Sequence, residues 1–238
     1  MKKIAIIIPT FNELDNIERL IGSILKHLPE TTIFIVDDSE DNELENLINQ
    51  KKINIKYFHR KNSRGRGSAV LFGFKKALNE KNYDILIEMD ADFSHNPDEL
   101  TKNIKKFNLD NLDLLIASRY HQNSKIINWG IKRRIFSKLA NILARVLLGI
   151  KLKDFTNGYR FYSKRAAEKI VEKCGNIGEG FIILSEIIVV LNNNNFKITE
   201  TETIFVNRVR GESSVNLKLV VASFFGILKL FFIKNKLN

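Results

Sequence analysis

The chain has 238 residues, 44% apolar and 27% charged, and this ordinary globular composition excludes a disordered or collagen-like protein. The single cysteine, Cys174, cannot form a disulfide within the chain, which excludes a disulfide scaffold and indicates a reducing compartment. The net charge of +11 is unevenly placed: residues 119–153 carry nine Lys and Arg, residues 213–238 carry four Lys, and neither segment contains an acid. Two local contacts with phosphate or acidic lipid explain this pattern better than a general coat for nucleic acid.

The first half of the chain alternates short apolar runs with amphipathic segments. The predicted strands are Lys3–Pro9, Thr32–Asp37, Ile53–Phe58, Asp84–Asp90 and Asp113–Ser118. The predicted helices are Asp15–Leu28, Glu43–Asn49, Ser68–Asn79 and Pro97–Phe107. This alternation predicts an α/β fold in which helices flank a mostly parallel sheet. Ligands of such sheets bind beyond the carboxyl ends of the strands, so the residues that follow each strand are the candidates for function.

The second half is less regular. Its predicted elements are a basic amphipathic helix (Trp129–Leu148), a strand (Tyr159–Tyr162), two helices (Ser163–Cys174 and Gly180–Asn192), a β segment (Phe196–Val206) and a last helix (Val215–Phe232). The last helix is interrupted by Lys218 and Lys229 and is too short to span a bilayer, which predicts an interfacial or oligomer-forming helix. No composition change marks a boundary, so we expect one domain over 1–238.

Asp90-Ala91-Asp92 is the sharpest motif. Two carboxylates that follow an apolar strand at positions i and i+2 can share a hard divalent cation that also binds phosphate oxygens. The alternative is a solvated turn, because so short a motif also occurs by chance. His95 follows in a polar, turn-like stretch and is predicted to be an exposed loop residue rather than a ligand.

Two further loops have open interpretations. Asp37-Asp38 follows an apolar strand and predicts either an acceptor for nucleobase or ribose groups or, with Ser39, a helix N-cap. The loop Ser63–Ser68 precedes a helix but lacks the spacing of a phosphate-binding motif, so it is either a tight turn or a place where Arg64 or Arg66 contacts phosphate.

The basic helix has an apolar side whose partner the sequence leaves open. That side either packs on the core, as in most amphipathic helices, or faces a membrane. Its residues are Ile131, Ile135, Leu139, Ile142, Leu143 and Val146. The same two alternatives apply to Phe224, Phe225, Phe231 and Phe232 near the C-terminus.

Several motifs occur in one order along nearly the whole chain. They are Ile6–Glu13, Val36-Asp37-Asp38, Met89–His95, Ala117–Tyr120, Trp129–Ser137, Asp154–Arg160 and Phe205–Ser213. Together they resemble glycosyltransferase family 2, and within it the polyprenyl- or dolichyl-phosphate mannose synthases. The first two motifs are common to the wider family, whereas the DADFSH, SRY and RxxGES elements are more specific together.

The resemblance implies a GT-A fold, Mg²⁺ or Mn²⁺ as cofactor, and inverting transfer from a nucleotide sugar, GDP-mannose, to a polyprenyl phosphate. It also implies that residues 1–120 form the nucleotide-sugar-binding half of the domain and residues 121–238 the acceptor-binding half. It implies donor contacts by Pro9, Phe11, Glu13, Asp38, Asp90, Ala91, Asp92 and Arg208. It implies metal ligation by Asp90 and Asp92, acceptor contacts by Arg119, Arg133 and Ser137, and catalytic roles for Asp92, Arg119, Arg133 and Arg208. Glu186 matches an acid of the family's site.

The chain also departs from the family pattern. Asn207 stands where the family usually has an acid, and Ser214 stands where it usually has a lysine, which removes one phosphate contact. Alternatives are therefore another donor such as UDP-glucose, a hydroxyl acceptor, which would need a general base, or a basic binding module on a degenerate fold. We expect a protein on the cytoplasmic face of a membrane, held peripherally or by a membrane-anchoring partner protein, with no nucleic-acid partner.

Overall fold

A computed structural model describes residues 2–49, 54–61, 64–80, 82–178, 180–207 and 217–237, without the side chains of 217–224. The strands are β1 (Ile4–Thr10), β2 (Thr32–Asp37), β3 (Ile55–His59), β4 (Ile85–Glu88), β5 (Leu114–Ser118), β6 (Lys125–Ile127), β7 (Arg160–Ser163), β8 (Ile198–Glu202) and β9 (Ile204–Val206). The helices are α1 (Leu14–His27), α2 (Glu43–Asn49), α3 (Arg66–Asn79), α4 (Leu100–Leu109), α5 (Ile131–Leu148), α6 (Lys164–Lys173), α7 (Ile182–Asn193) and α8 (Leu217–Ile233).

The main sheet has seven strands in the order β3-β2-β1-β4-β7-β5-β8. All neighbours are parallel except β7, which runs antiparallel to both β4 and β5. The predicted α/β class is therefore confirmed. The crossover helices of the βαβ units bring the carboxyl ends of β1, β2 and β4 to one edge of the sheet.

Helices cover both faces of this sheet, and alternate residues of each strand enter opposite cores. In β1, Ala5 and Ile7 pack into the cluster that contains residues of α3, α5, α6 and α7. Ile6 and Ile8 pack into the cluster that contains residues of α1, α2 and α4. A strand buried on both faces must be apolar throughout, which explains the uninterrupted Ile6-Ile7-Ile8 run.

Helix α3 approaches β1 very closely. A Cβ atom added at Gly73 would lie 2.5 Å from Cγ2 of Ile7, so glycine is required for this contact. The close approach holds the middle of α3 against β1.

Two details of the second half differ from the sequence prediction. The β segment predicted at Phe196–Val206 is divided at Thr203: β8 joins the main sheet next to β5, and β9 pairs with β6 in a separate two-stranded sheet. The short strand β6 was not predicted. Glu99 fixes the division because it accepts hydrogen bonds from the Thr203 hydroxyl (2.6 Å) and the Ile204 amide (2.7 Å).

Helix α5 packs on the core with a narrow face and exposes a wide one. Asn141, Ala144 and Leu148 are buried, whereas the apolar residues on the other sides of the helix are largely accessible. These exposed residues are Ile131 (76%), Ile135, Phe136 (57%), Leu139, Ile142 and Val146 (69%). The interpretation that this apolar side packs on the core is therefore wrong.

The described part of α8 also has two sides. Ile227 and Leu230 are buried, and Phe225 and Phe232 are exposed. The side chain of Phe224 lies outside the described residues. Among the described helices, each lacks the length or the apolar character that a bilayer crossing requires.

Candidate active site

The polar residues that follow β1, β2 and β4 meet at one edge of the sheet. The register aligns Thr10 of β1 with Asp37 of β2, and Ile7 of β1 with Glu88 of β4. The side chains that the sequence placed after separate strands therefore form one polar cluster.

Asp37 is completely buried and is held by four hydrogen bonds. Its Oδ1 accepts from the Thr10 hydroxyl (2.9 Å) and from the hydroxyl (2.6 Å) and amide (3.1 Å) of Ser39, and its Oδ2 accepts from the Tyr57 hydroxyl (2.8 Å). Burial and the neighbouring carboxylate raise the pKa of Tyr57, so the phenol stays a donor. The N-cap interpretation is wrong, since helix α2 begins only at Glu43.

Asp38 is paired with an arginine that the sequence analysis did not single out. Arg60 donates from Nε to Oδ1 (2.7 Å) and from Nη2 to Oδ2 (2.6 Å), and the Gly65 amide donates to Oδ2 (3.0 Å). Both side chains are nearly inaccessible. The predicted donor-binding residue Asp38 thus also fixes the loop that leads into α3.

Asp90 and Asp92 lie just past the end of β4 in a rigid turn. Oδ1 of Asp92 accepts from the Ser94 amide (3.0 Å), and Phe93 adopts a positive φ of 60°. The Asp90 amide donates to Nδ1 of His95 (2.9 Å). Because Nδ1 accepts this bond, the ring carries its proton on Nε2, which lies 3.1 Å from Oδ1 of Asn157.

The prediction that His95 is an exposed loop residue is wrong. The ring is 1% exposed and stacks on Tyr159, with ring centres 5.1 Å apart. Burial lowers the pKa of His95 and outweighs the nearby Asp90 carboxylate, which alone would raise it. The lowered pKa favours the neutral ring. His95 therefore acts as a neutral support for the turn that carries both aspartates.

Arg66, the first residue of α3, lies directly against this acidic motif. Its Nη1 donates to Glu88 (2.6 Å), and its Nε and Nη2 donate to Oδ1 of Asp90 (2.9 and 2.6 Å). Burial opposes the charge on Arg66, but Asp90 and Glu88 outweigh it and raise the guanidinium pKa. Glu88 itself is fully buried and also accepts from the Tyr162 hydroxyl (2.7 Å).

Arg119, which follows β5, forms a second buried ion pair. Its Nε and Nη2 donate to the two oxygens of Asp154 (both 2.8 Å), and its amide donates to Oδ2 of Asp154 (2.9 Å). Its Nη2 also reaches the Thr156 hydroxyl (2.6 Å). Burial raises the pKa of Asp154, but Arg119 outweighs this effect and the net pKa is lowered.

The other predicted acceptor residues lie on α5 near this pair. The Arg133 guanidinium lies 5.0 Å from the centre of the Trp129 ring, and its Nη1 donates to Oδ1 of Asn207 (3.3 Å). The Arg119 guanidinium lies 5.3 Å from the same ring, so Trp129 lies beside both arginines. Ser137 lies beside Tyr120. Arg208, predicted to contact the donor, lies outside the described residues.

The remaining predicted donor residues surround the ends of β1 and β4. Pro9 is part of β1, Ala91 is buried, and Phe11 is 50% exposed with the Arg64 guanidinium 5.8 Å from its ring centre. Glu13 precedes α1 and accepts from the Asn16 side chain (2.8 Å).

Glu186 has a structural role. It is buried in α7, and its two carboxylate oxygens accept from the amides of Gly175 (3.0 Å) and Asn176 (3.3 Å) in the loop between α6 and α7. Burial raises its pKa despite these hydrogen bonds.

The acids at the sheet edge fit a divalent cation whose remaining ligands would come from a bound substrate and water. Within the described residues, no group of three or more His, Cys, Asp and Glu side chains could hold a metal ion. Asp90 and Asp92 are two carboxylates on one turn, and Mg²⁺ is usually bound by one or two carboxylates together with phosphate oxygens and water. In this structure the Arg66 guanidinium pairs with Oδ1 of Asp90.

The sequence model of glycosyl transferase family 2 matches residues 5–171. The chain belongs to this family. The polyprenol monophosphomannose synthase of Mycolicibacterium smegmatis is 33% identical over 89% of this chain and 80% of its own length. The undecaprenyl-phosphate mannosyltransferase of Micrococcus luteus is 30% identical over 90% of this chain and 88% of its own length.

Solved structures of the same fold are more distant in sequence. Glucosyl-3-phosphoglycerate synthase of Mycobacterium tuberculosis, in complex with Mn²⁺, UDP and glucosyl-3-phosphoglycerate, is 17% identical with a TM-score of 0.67. The match covers 98% of this chain and 80% of the synthase. This chain therefore has a fold of the GT-A type.

Proposed function

We propose that this protein transfers mannose from GDP-mannose, with inversion at the anomeric carbon, to a polyprenyl monophosphate such as dolichyl or undecaprenyl phosphate. The observation that carries the proposal is the acidic pair Asp90 and Asp92 at the sheet edge of a family 2 chain. Two relatives that are at least 30% identical over about nine tenths of this chain are named for mannose transfer to polyprenyl phosphates.

The donor side has groups for each part of a nucleotide sugar. Pro9, Phe11, Glu13 and Asp38 would contact the nucleoside, and Asp90, Ala91 and Asp92 would contact the ribose and the diphosphate. Mg²⁺ or Mn²⁺, when held by Asp90 and Asp92, would stabilise the charge of the leaving nucleoside diphosphate. Arg208 would add a cation to the same diphosphate.

The acceptor side needs cations rather than a general base. A phosphate monoester is already anionic near neutral pH, so its oxygen can attack the anomeric carbon without losing a proton to the protein. Arginine suits the task of orienting it because the guanidinium meets phosphate at two points. Arg133 and Arg119 flank Trp129, and Ser137 lies one turn of α5 beyond Arg133.

The proposed membrane contact is the exposed surface of α5. Its exposed apolar residues alternate with exposed Lys132, Arg134, Lys138 and Arg145. A surface of this composition attracts anionic headgroups and inserts apolar side chains at the interface. The protein would then meet its lipid acceptor as a peripheral protein on the cytoplasmic face of the membrane, alone or with a membrane-anchoring partner protein.

One assay tests the activity. Labelled GDP-mannose is incubated with polyprenyl phosphate, with and without a chelator, and label that enters the organic extract is counted. We expect transfer that the chelator abolishes. A parallel reaction with UDP-glucose tests the alternative donor, and label in a water-soluble product would indicate a hydroxyl acceptor instead of a lipid phosphate.

A further inference from the structure

Arg66 has two carboxylate partners with very different environments. Glu88 is fully buried, accepts from the Tyr162 hydroxyl with its second oxygen and forms an ion pair with Arg66. A second buried arginine, Arg160 of β7, lies opposite Glu88 in register and donates to three backbone carbonyls. Asp90 is 27% exposed and lies at the sheet edge. The Nη1 side of the guanidinium is thus held in the protein interior, while the Nε and Nη2 side contacts an acid that ligands can reach.

The chain makes room for the guanidinium. A Cβ atom added at Gly158 would lie 1.8 Å from Nη2 of Arg66, so only glycine permits this position. The arginine therefore occupies a fitted space between α3, the end of β4 and the loop before β7.

Arg66 and a divalent cation require the same carboxylate. Nε and Nη2 both donate to Oδ1 of Asp90, and a metal ion bound to that carboxylate would lie within a few ångströms of the guanidinium. Two cations so close repel each other, so an arginine in this position opposes metal binding. A diphosphate removes the conflict, since it offers the released edge of the guanidinium new oxygens in a two-point geometry.

The backbone beside Arg66 is also suited to an anion. Helix α3 has 14 residues, and Gly65 precedes it without any side chain that caps its first amides. The partial positive charge of such a helix end favours phosphate. A diphosphate bound there would lie within reach of the arginine.

We propose that Arg66 exchanges partners: it holds Asp90 in the donor-free protein and moves its Nε and Nη2 edge to the donor's diphosphate, so that Asp90 becomes available to the cation only with the donor. This inference rests on the proposed function, because it takes the nucleoside diphosphate and the divalent cation from it. Metal and nucleotide would then bind cooperatively, each favouring the other.

The test compares the wild type with the double variant Arg66→Leu/Glu88→Gln. This variant loses one positive and one negative charge, so the net charge of the cluster is unchanged. The neutral amide introduced at position 88 needs no ion-pair partner, and its oxygen can still accept from the Tyr162 hydroxyl. The competition for Asp90 is removed, and the buried Arg160 opposite position 88 keeps its three backbone acceptors. Binding of Mn²⁺ alone, measured by electron paramagnetic resonance of the free ion, should be about tenfold tighter in the variant.

A second measurement tests the contact between Arg66 and the diphosphate. Calorimetric titration with GDP in the absence of metal should show binding to the variant about tenfold weaker than to the wild type, because the diphosphate has lost its arginine. Thermal unfolding checks that the variant folds. If it does not, Arg66→Gln/Glu88→Gln replaces it, since this variant keeps a polar side chain at position 66, removes the competing cation and should also bind Mn²⁺ alone more tightly than the wild type.

Equal Mn²⁺ affinities in wild type and variant, including no binding by either, would overturn the exchange. If mannolipid is formed while these affinities are equal, the exchange alone fails. If Mn²⁺ and GDP bind as described but no lipid product forms with any nucleotide sugar, the proposed function fails and the exchange stands.

Discussion

The edge of the sheet at the carboxyl ends of β1, β2 and β4, where we propose that the donor binds (the donor edge), and the outer surface of α5 are both rich in cations. The two sets of cations differ in their partners. At the donor edge, Arg60 and Arg66 are paired with acids that are buried or nearly so. On α5, Lys132 and Arg134 are exposed among exposed apolar residues, in a segment without acids. The cations at the donor edge are thus paired within the chain, whereas those of α5 are exposed beside apolar side chains, as expected for the membrane contact that we propose.

Removal of an acid at the donor edge should have the largest effect. We expect Asp92→Ala to lower kcat for lipid mannosylation by at least about 10³-fold, because the leaving diphosphate loses its stabilisation. Label in the organic extract measures it. Asp98→Ala is the matched control, since Asp98 is 71% exposed and pairs only with His27 among its described partners. Similar losses in both variants would remove Asp92 from the active site.

The buried pair of Arg119 and Asp154 should be the next most sensitive. Asp154→Asn leaves a buried guanidinium without its counter-charge, which costs about 3–5 kcal/mol of unfolding free energy at pH 7. The pKa of Asp154 is lowered in the fold, so its contribution is present above the unfolded pKa of about 4 and is lost as the pH falls through the folded value. Denaturant unfolding at pH 7, 5 and 3 should therefore show a difference between variant and wild type that shrinks only at the lowest pH. A difference that stays constant to pH 3 would contradict this assignment.

Charge removal on α5 should affect membrane binding but not stability. Lys132→Gln with Arg134→Gln should weaken binding to vesicles that contain anionic lipid by about 1 kcal/mol per cation, roughly fivefold each. Co-sedimentation measures it. The control is Lys26→Gln with Lys105→Gln, which removes two exposed cations from α1 and α4 on the opposite face of the sheet. Equal losses in the two double variants would indicate a nonspecific charge effect.

The smallest effect is expected where an ion pair at the donor edge is exposed. Glu40 pairs with Arg64 (2.6 Å), but both side chains are more than half exposed. Glu40→Ala should change the unfolding free energy by less than about 1 kcal/mol, because solvent screens such a pair. If Glu40→Ala lowered the unfolding free energy as much as Asp154→Asn, burial would not explain the difference between exposed and buried ion pairs.

Residues whose function depends on local position were predictable from the sequence. Asp90 and Asp92 follow an apolar strand directly, so their place at the sheet edge follows from the βαβ pattern alone. Partners that lie far along the chain were not predictable: Arg60 meets Asp38 across 22 residues, and Arg119 meets Asp154 across 35. Glu88 carried a usable signal, since an acid inside a doubly buried strand requires a counter-charge.

The errors have the same origin. The stretch around His95 is polar and resembles an exposed turn, but Tyr159 covers the ring from a distant part of the chain. The residues Phe196–Val206 look like one β segment, but hydrogen bonds of Glu99 and Ser124 to Thr203 and Ile204 divide it. The local sequence pattern predicts the helices and strands, whereas the burial of a polar residue depends on contacts with residues that are distant in the sequence.

Because β7 lies in the middle of the sheet but late in the sequence, the sheet can be completed only late in translation. This strand lies between β4 and β5 and runs against both, so the two parallel parts of the sheet have no direct contact with each other at that point. A nascent chain that has exposed β1 to β5 still lacks the strand that joins them. The sheet stays incomplete until Ser163 has left the ribosome, and a fragment that stops at residue 120 should leave one edge of β4 and both edges of β5 unpaired and should aggregate.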